Sequence, residues 1–237
     1  MRNGSAEADA RGSRISVKEG KMKKMVISML VVFTLCIMVA RPAPAQMMQK
    51  AESGMMMTKP AADLGMAMRK LWEDHITYTR NYIISALASL EDQGKIAERL
   101  LRNQDDIGNA IKPFYGDAAG AKLTALLRDH ILIAVDVVKA AKAGVAADLD
   151  AASKKWTANA DDLAAFLSGA NPNWGRAQMA DMLHKHLEYT TQEVVSRLKK
   201  DWGADIEAYD MGHAHMLMFA DMLTQGIVKQ FPAKFKT

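Results

Sequence analysis

From Leu64 onward the apolar positions return at steps of three and four. Leu64, Met68, Leu71, Trp72, His75, Ile76, Thr79, Ile83, Leu87 and Leu90 trace one face of a single helix. The same spacing recurs five more times, and no segment shows the two-residue alternation of a strand. Breakers divide the pattern into six predicted helices, at about 63–91, 93–112, 118–143, 146–168, 174–200 and 202–230. Asp92, Asp117, Asn173 and Asp201 stand where N-caps are wanted, and Gly116, Gly144 and Gly169 where helices end. Connections this short make consecutive helices antiparallel. The expected fold is therefore all-α, an up-and-down bundle of about six helices filling one domain, residues 63–232.

The pattern also repeats along the chain. Asn103–Ile131 lies over Asn159–Leu187 at a constant offset of 56, matching Asn103 to Asn159, Asp105 and Asp106 to Asp161 and Asp162, and His130 to His186. At an offset of 55, Leu71–Ile76 lies over Leu126–Ile131. Three related helical hairpins account for both offsets.

Counting from the predicted helix starts puts His75, His130 and His186 at one level, about 20 Å along their helices at 1.5 Å per residue. Each continues an apolar stripe, so each is expected to point inward. Asn103 falls between Leu100 and Ile107, and Asn159 between Trp156 and Leu163, so both amides should face the same midplane, with Asp106 and Asp162 beside them. His184 is two residues from His186 and belongs outside. Between His213 and His215, the stripe Ile206, Tyr209, His213, Met216 and Ala220 favours His213, with His215 as its substitute. A layer of this kind has two uses. His75, His130, His186 and His213 or His215 could ligate a transition metal such as copper, zinc or iron, with Asn103, Asn159, Asp106 and Asp162 orienting the rings. Alternatively, the same groups satisfy one another and fix helix register.

What precedes the bundle is of another kind. Lys21, Lys23 and Lys24 lead into the apolar run Met25–Ala40, and Ala43 and Ala45 follow at small-residue cleavage spacing, which reads as a signal peptide over residues 1–45. The long stretch before Met22 marks that methionine as an alternative start. A Met-rich lead-in covers 46–62, and its Met47, Met48, Met55, Met56 and Met57 add soft thioethers suited to Cu(I). Cleavage near Ala45 would deliver the chain to the periplasm or the extracellular space, with membrane contact only through the uncleaved signal. It would also change the charge. Setting aside the eight basic and three acidic residues of 1–45 takes Lys plus Arg from 31 to 23 and Asp plus Glu from 27 to 24, a net charge of −1. No basic field is left for nucleic acid. Cys36, the only cysteine, falls inside the signal, so the mature chain has neither a thiol nucleophile nor a disulfide.

Enzyme signatures are missing: no Gly-rich phosphate loop, no GxSxG, no HExxH and no paired Glu-x-x-His. The strings "LWEDHITYTRN", "LLRNQDDIGNAIKPFYGDAAGAKLTALLRDHI", "ANADDLAAFLSGANPNW" and "HAHMLMFADMLTQGIVKQFP" resemble a family of small exported bacterial helical proteins, over about residues 70–232. That resemblance implies an exported helical fold. It carries the labels glycosyltransferase and acetylglutamate kinase but no catalytic residues. The expected function is an exported binding protein rather than a catalyst. A metal-free envelope structural or interaction protein is the alternative, and an enzyme of the glycosyltransferase kind comes third.

Overall fold

A computed structural model describes residues 58–236, which are all-helical. The predicted signal peptide and the lead-in as far as residue 57 lie outside the described residues. Five helices follow one another: α1, Lys59–Ala88; α2, Gln93–Ala143; α3, Ala146–Ala170; α4, Arg176–Leu198; and α5, Trp202–Gln230, with a 3-10 turn at Pro232–Phe235. No helix among them is long and apolar enough to cross a membrane. α1 begins earlier than the pattern predicts because Pro60 is at home in a first turn, where its missing N–H would have had no acceptor. Asp201 caps α5 as expected, its carboxylate accepting from the amide of Ala204 at 3.1 Å. Asp117 and Asn173 cap nothing: Asp117 lies within α2, and Gly175 precedes α4.

The predicted helices 93–112 and 118–143 are one element here, α2, broken at Gly116. Pro113 withdraws a backbone donor just before the break, and Gly116 takes φ 82°, ψ 171°, which a residue with a Cβ would hold only under strain. The two limbs then lie against each other. A Cβ on Gly108 would fall 2.7 Å from the carbonyl oxygen of Gly120, and one on Gly120 would fall 2.7 Å from that of Gly108, so the backbones themselves are in contact. Beyond the turn Arg128 reaches back to the Asp105 carboxylate at 3.1 Å.

α1 packs on α2 and α5, α2 on α3, α3 on α4 and α4 on α5, closing a ring around one main core. Its ends are tied off separately. At the Gly116 end the Thr58 hydroxyl donates to the Phe235 carbonyl at 2.7 Å, and Phe114 stacks on Phe235. Tyr115 donates its hydroxyl to Gln230 and accepts from the buried amide of Asn171, each at 2.8 Å. At the other end a charged clasp joins three helices. Arg80 of α1 binds Glu193 of α4 at 2.8 Å and grips both oxygens of Asp205 of α5, which also accepts from Arg197 at 2.8 Å. Asp205 is 1% exposed and Glu193 5%. Burial, against the opposing pull of Arg80, raises the Glu193 carboxyl to about 7.

Candidate functional site: a buried imidazole layer

The side chains of His75, His130 and His186 come from α1, the second limb of α2 and α4, and all three are buried. Their ring centroids lie 5.5 Å (His75–His186), 5.8 Å (His130–His186) and 6.3 Å (His75–His130) apart. Each follows an apolar residue one turn earlier on the inward stripe, which is why the helical period carries them to a common centre.

A second set of side chains holds these three helices at that height. Asn103 donates its amide to the carbonyl of Leu71 at 3.0 Å, Asn159 to that of Leu126 at 3.0 Å, and His215 its Nε2–H to that of Met182 at 2.8 Å. The three acceptors stand four residues before His75, His130 and His186. In an α-helix each of those carbonyls already takes the amide N–H of the imidazole residue itself, so the crossing bond uses its second lone pair. His215, Asn103 and Asn159 thus do the same thing in three places. A slip of one helix against its neighbour would break such a bond inside the core, at about 1–3 kcal/mol for each group left unpaired.

His130 is fully engaged. Because the Asn159 amide is spent on Leu126, its oxygen is free to accept from His130 Nδ1–H at 2.8 Å, and the Trp156 indole donates to His130 Nε2 at 3.2 Å. The ring is therefore the neutral Nδ1–H tautomer. His75 and His186 are different: both Nδ1 atoms are buried with no partner. So are Trp72 Nε1 and Gln104 Oε1. Trp72 lies 5.5 Å from the His75 ring, and the Gln104 side chain is near enough to favour a charged His75 slightly, although no well-formed bond closes between them. Of the buried unpaired side-chain atoms among the described residues, all but Arg99 Nη1 belong to His75, the Trp72 and Gln104 beside it, or the His186 ring facing it.

Burial dominates the protonation of the trio. It takes His75 down to about 3, helped by repulsion from His130 and opposed by Gln104. It takes His130 to about 4 against the pull of Asn159. His186 falls well below the usual imidazole range through burial, then through the charges of His75, His130 and His215. All three are neutral at pH 7, the form that ligates metals.

The other candidates are placed differently from the sequence expectation. His213, not His215, is the one turned outward: it is partly exposed, with Nε2 3.5 Å from Glu73, whereas His215 is 8% exposed and packs edge-on against Tyr189. The stripe that favoured His213 was anchored on Ile206, which is 54% exposed; the inward position is its charged neighbour Asp205. His215 Nε2 is spent on Met182, and His213 Nε2 faces Glu73. Asp106 and Asp162 are exposed and leave the layer altogether. Asn103 sits at one border of its stripe, so three residues further on the side chain has already passed out of the core. Asp161 pairs instead with the exposed His184 at 2.9 Å. Gln104 and the indoles of Trp72 and Trp156 escaped the sequence reading as polar partners, although Gln104 stands next to Asn103 and both tryptophans lie on the inward stripes.

As it stands, no group of three or more His, Cys, Asp or Glu side chains among the described residues is arranged to hold a metal ion. What the layer offers is two neutral imidazoles with free Nδ1 atoms, and a third whose remaining lone pair is taken by an indole. Set beside protein-family models, curated proteins and solved structures, the chain matches none of them.

Proposed function

We propose that the chain is an exported helical binding protein whose ligand seat is the unpaired polar cluster around His75 and His186. In this reading six helical segments form three related hairpins, and export follows from the sequence pattern of residues 21–45. The break at Gly116, with its limbs in contact, and the three equivalent crossing bonds from Asn103, Asn159 and His215 support the hairpins. The observation that carries the seat is the gathering of unpaired buried polar atoms at one place. Buried polar groups are otherwise almost always satisfied, and such a cluster is costly unless something fills it. Two neutral imidazoles suit a copper, zinc or iron ion.

Elemental analysis of the purified protein, followed by Zn²⁺ and Cu⁺ titration of the wild type and His186→Asn, tests this. The expected result is one equivalent bound by the wild type and an affinity at least about tenfold weaker in the variant. Absence of stoichiometric metal in the wild type removes the metal. A second reading then stands, in which the layer only sets register. The saturated bonding of His130 favours it, and the protein would then be a metal-free envelope component.

A further inference from the structure

Six of the ten large apolar side chains exposed among the described residues gather at one end of the bundle: Leu90, Val145, Val195, Leu198, Trp202 and Ile206. They stand in or beside the three turns that join α1 to α2, α2 to α3 and α4 to α5. Those turns share an end. Lys142, in the last turn of α2, donates to the Ala86 carbonyl and, at 2.6 Å, to the Ser89 hydroxyl at the end of α1. The Arg80 clasp ties α1 to the α4–α5 turn through Asp205 and Arg197. The opposite end hides its apolar groups: Phe235 and Trp174 are buried there, and Phe114 stacks on Phe235. Single apolar residues scattered over a surface are ordinary, but a set gathered at one end marks an interaction site.

The α4–α5 turn is the most ordered part of this set. Trp202 is 52% exposed, whereas the other three tryptophans are at most 4%. Its indole is held in place, because the Arg197 guanidinium stands 5.4 Å from the ring centroid while donating to the buried Asp205. Ile206 follows one turn later, about 40° round the helix, so it shares the face of Trp202; the acid Glu207 lies about 140° away. Lys199 and Lys200 are exposed just before the indole. The carboxylate between them and it, Asp201, is turned to the Ala204 amide as the cap. Lys200 takes φ 60°, a left-handed conformation that glycine would hold with less strain. The turn thus carries a charge at its tip where the backbone favours glycine.

We propose that this end of the bundle docks on an anionic lipid bilayer surface, with Trp202, Leu198 and Ile206 at the boundary of headgroups and acyl chains and Lys199 and Lys200 on the headgroup phosphates. An indole joins an apolar body to a polar N–H and suits that boundary, as does a lysine with an apolar stem and a charged head. Such docking combines buried apolar area with attraction to anionic lipid, and each lysine beside the surface strengthens it about fivefold. It is independent of the ligand seat, which is buried in the core.

Acrylamide quenching of tryptophan fluorescence tests the docking, because Trp202 is the one exposed indole of the four. The full chain is mixed with vesicles of phosphatidylglycerol and phosphatidylcholine in equal parts, and with vesicles of phosphatidylcholine alone; Trp202→Phe identifies the Trp202 signal. On the mixed vesicles the Trp202 emission is expected to shift to the blue, and its quenching to fall to the level of the buried indoles. Lys199→Gln with Lys200→Gln, both at exposed positions, should need about thirtyfold more lipid for the same protection. Trp202 that stays open to acrylamide overturns the proposal, even where the protein sediments with the vesicles through another segment such as Met25–Ala40. Equal protection on phosphatidylcholine alone, or an unaltered lipid requirement in the double variant, overturns it as well. So does protection without lipid that grows with protein concentration, which places a second copy of the chain on this end.

Discussion

Arg80→Met is expected to destabilise the fold by about 3–5 kcal/mol, the usual cost of stranding a buried charge by removing its partner. Urea unfolding followed by circular dichroism measures it. Among the described residues Arg80 is the one cation that touches both Glu193 and Asp205, and without it Asp205 keeps Arg197 while Glu193 loses its hydrogen-bonded ion. Against a total stability of about 5–15 kcal/mol for a domain, that loss decides whether the protein is folded at 37 °C. Removing the whole clasp is expected to cost less than breaking it. Arg80→Met with Glu193→Leu and Asp205→Leu strands no buried carboxylate, and Arg197, about one-fifth exposed at its side chain, can turn to solvent. A surface pair such as Arg69–Asp221, both partners substantially exposed, should be worth under about 1 kcal/mol. A triple variant less stable than Arg80→Met would show that the clasp holds α1, α4 and α5 by more than charge compensation.

Acid should begin to destabilise the protein well above the pH at which its surface carboxylates protonate. Folded His75 and His130 hold their protons only below about 3 and 4, and His186 is also depressed, while unfolded imidazoles protonate near 6.5. Below 6.5 the unfolded chain therefore binds protons that the folded chain refuses, and stability falls with pH. Each imidazole contributes a slope of up to about 1.4 kcal/mol per pH unit, so the three together approach about 4. Glu193 acts in the opposite sense. Its folded value near 7 lies above the unfolded one, so its contribution is full below about 4.5 and is lost as pH rises through 7. One proton of the three is offset and two remain, roughly 3 kcal/mol per unit between about 6 and 4.5. That range is wide enough to exhaust a typical domain near pH 4. Urea midpoints measured from pH 7.5 to 4.5 check the slope. His130→Gln should flatten it by about one imidazole's share, and a flat profile in the wild type would contradict it.

The helical period carried much of this arrangement and failed at identifiable places. His75, His130 and His186 lie on stripes whose flanking residues are apolar, so both level and direction could be counted from the sequence. In α5 the inward stripe passes through Asp205, and an apolarity rule steps over a charged residue to the wrong neighbour; from Ile206 the count reaches His213 where the core receives His215. Only the partner charges of Arg80, far off in sequence, and of Arg197 at the end of the preceding helix make Asp205 a core residue. Asp106 and Asp162 were placed by proximity to Asn103 and Asn159, though a stripe about 100° wide excludes residues just beyond its border. The equivalence of His215 with Asn103 and Asn159 lies in a shared hydrogen bond to a carbonyl four residues before each imidazole. It is invisible to a residue-type match because an amide and an imidazole do the same work.

Three neutral imidazoles share one buried layer held by crossing bonds. Nitrogen-15 NMR of the imidazole rings tests it most directly, following each ring from pH 8 downward in the folded protein. The expected spectra show His130 as the Nδ1–H tautomer and His75, His130 and His186 neutral down to the pH at which the protein unfolds. A titration near pH 6.5 of any of the three in the folded state would contradict the buried layer, and with it the ligand seat.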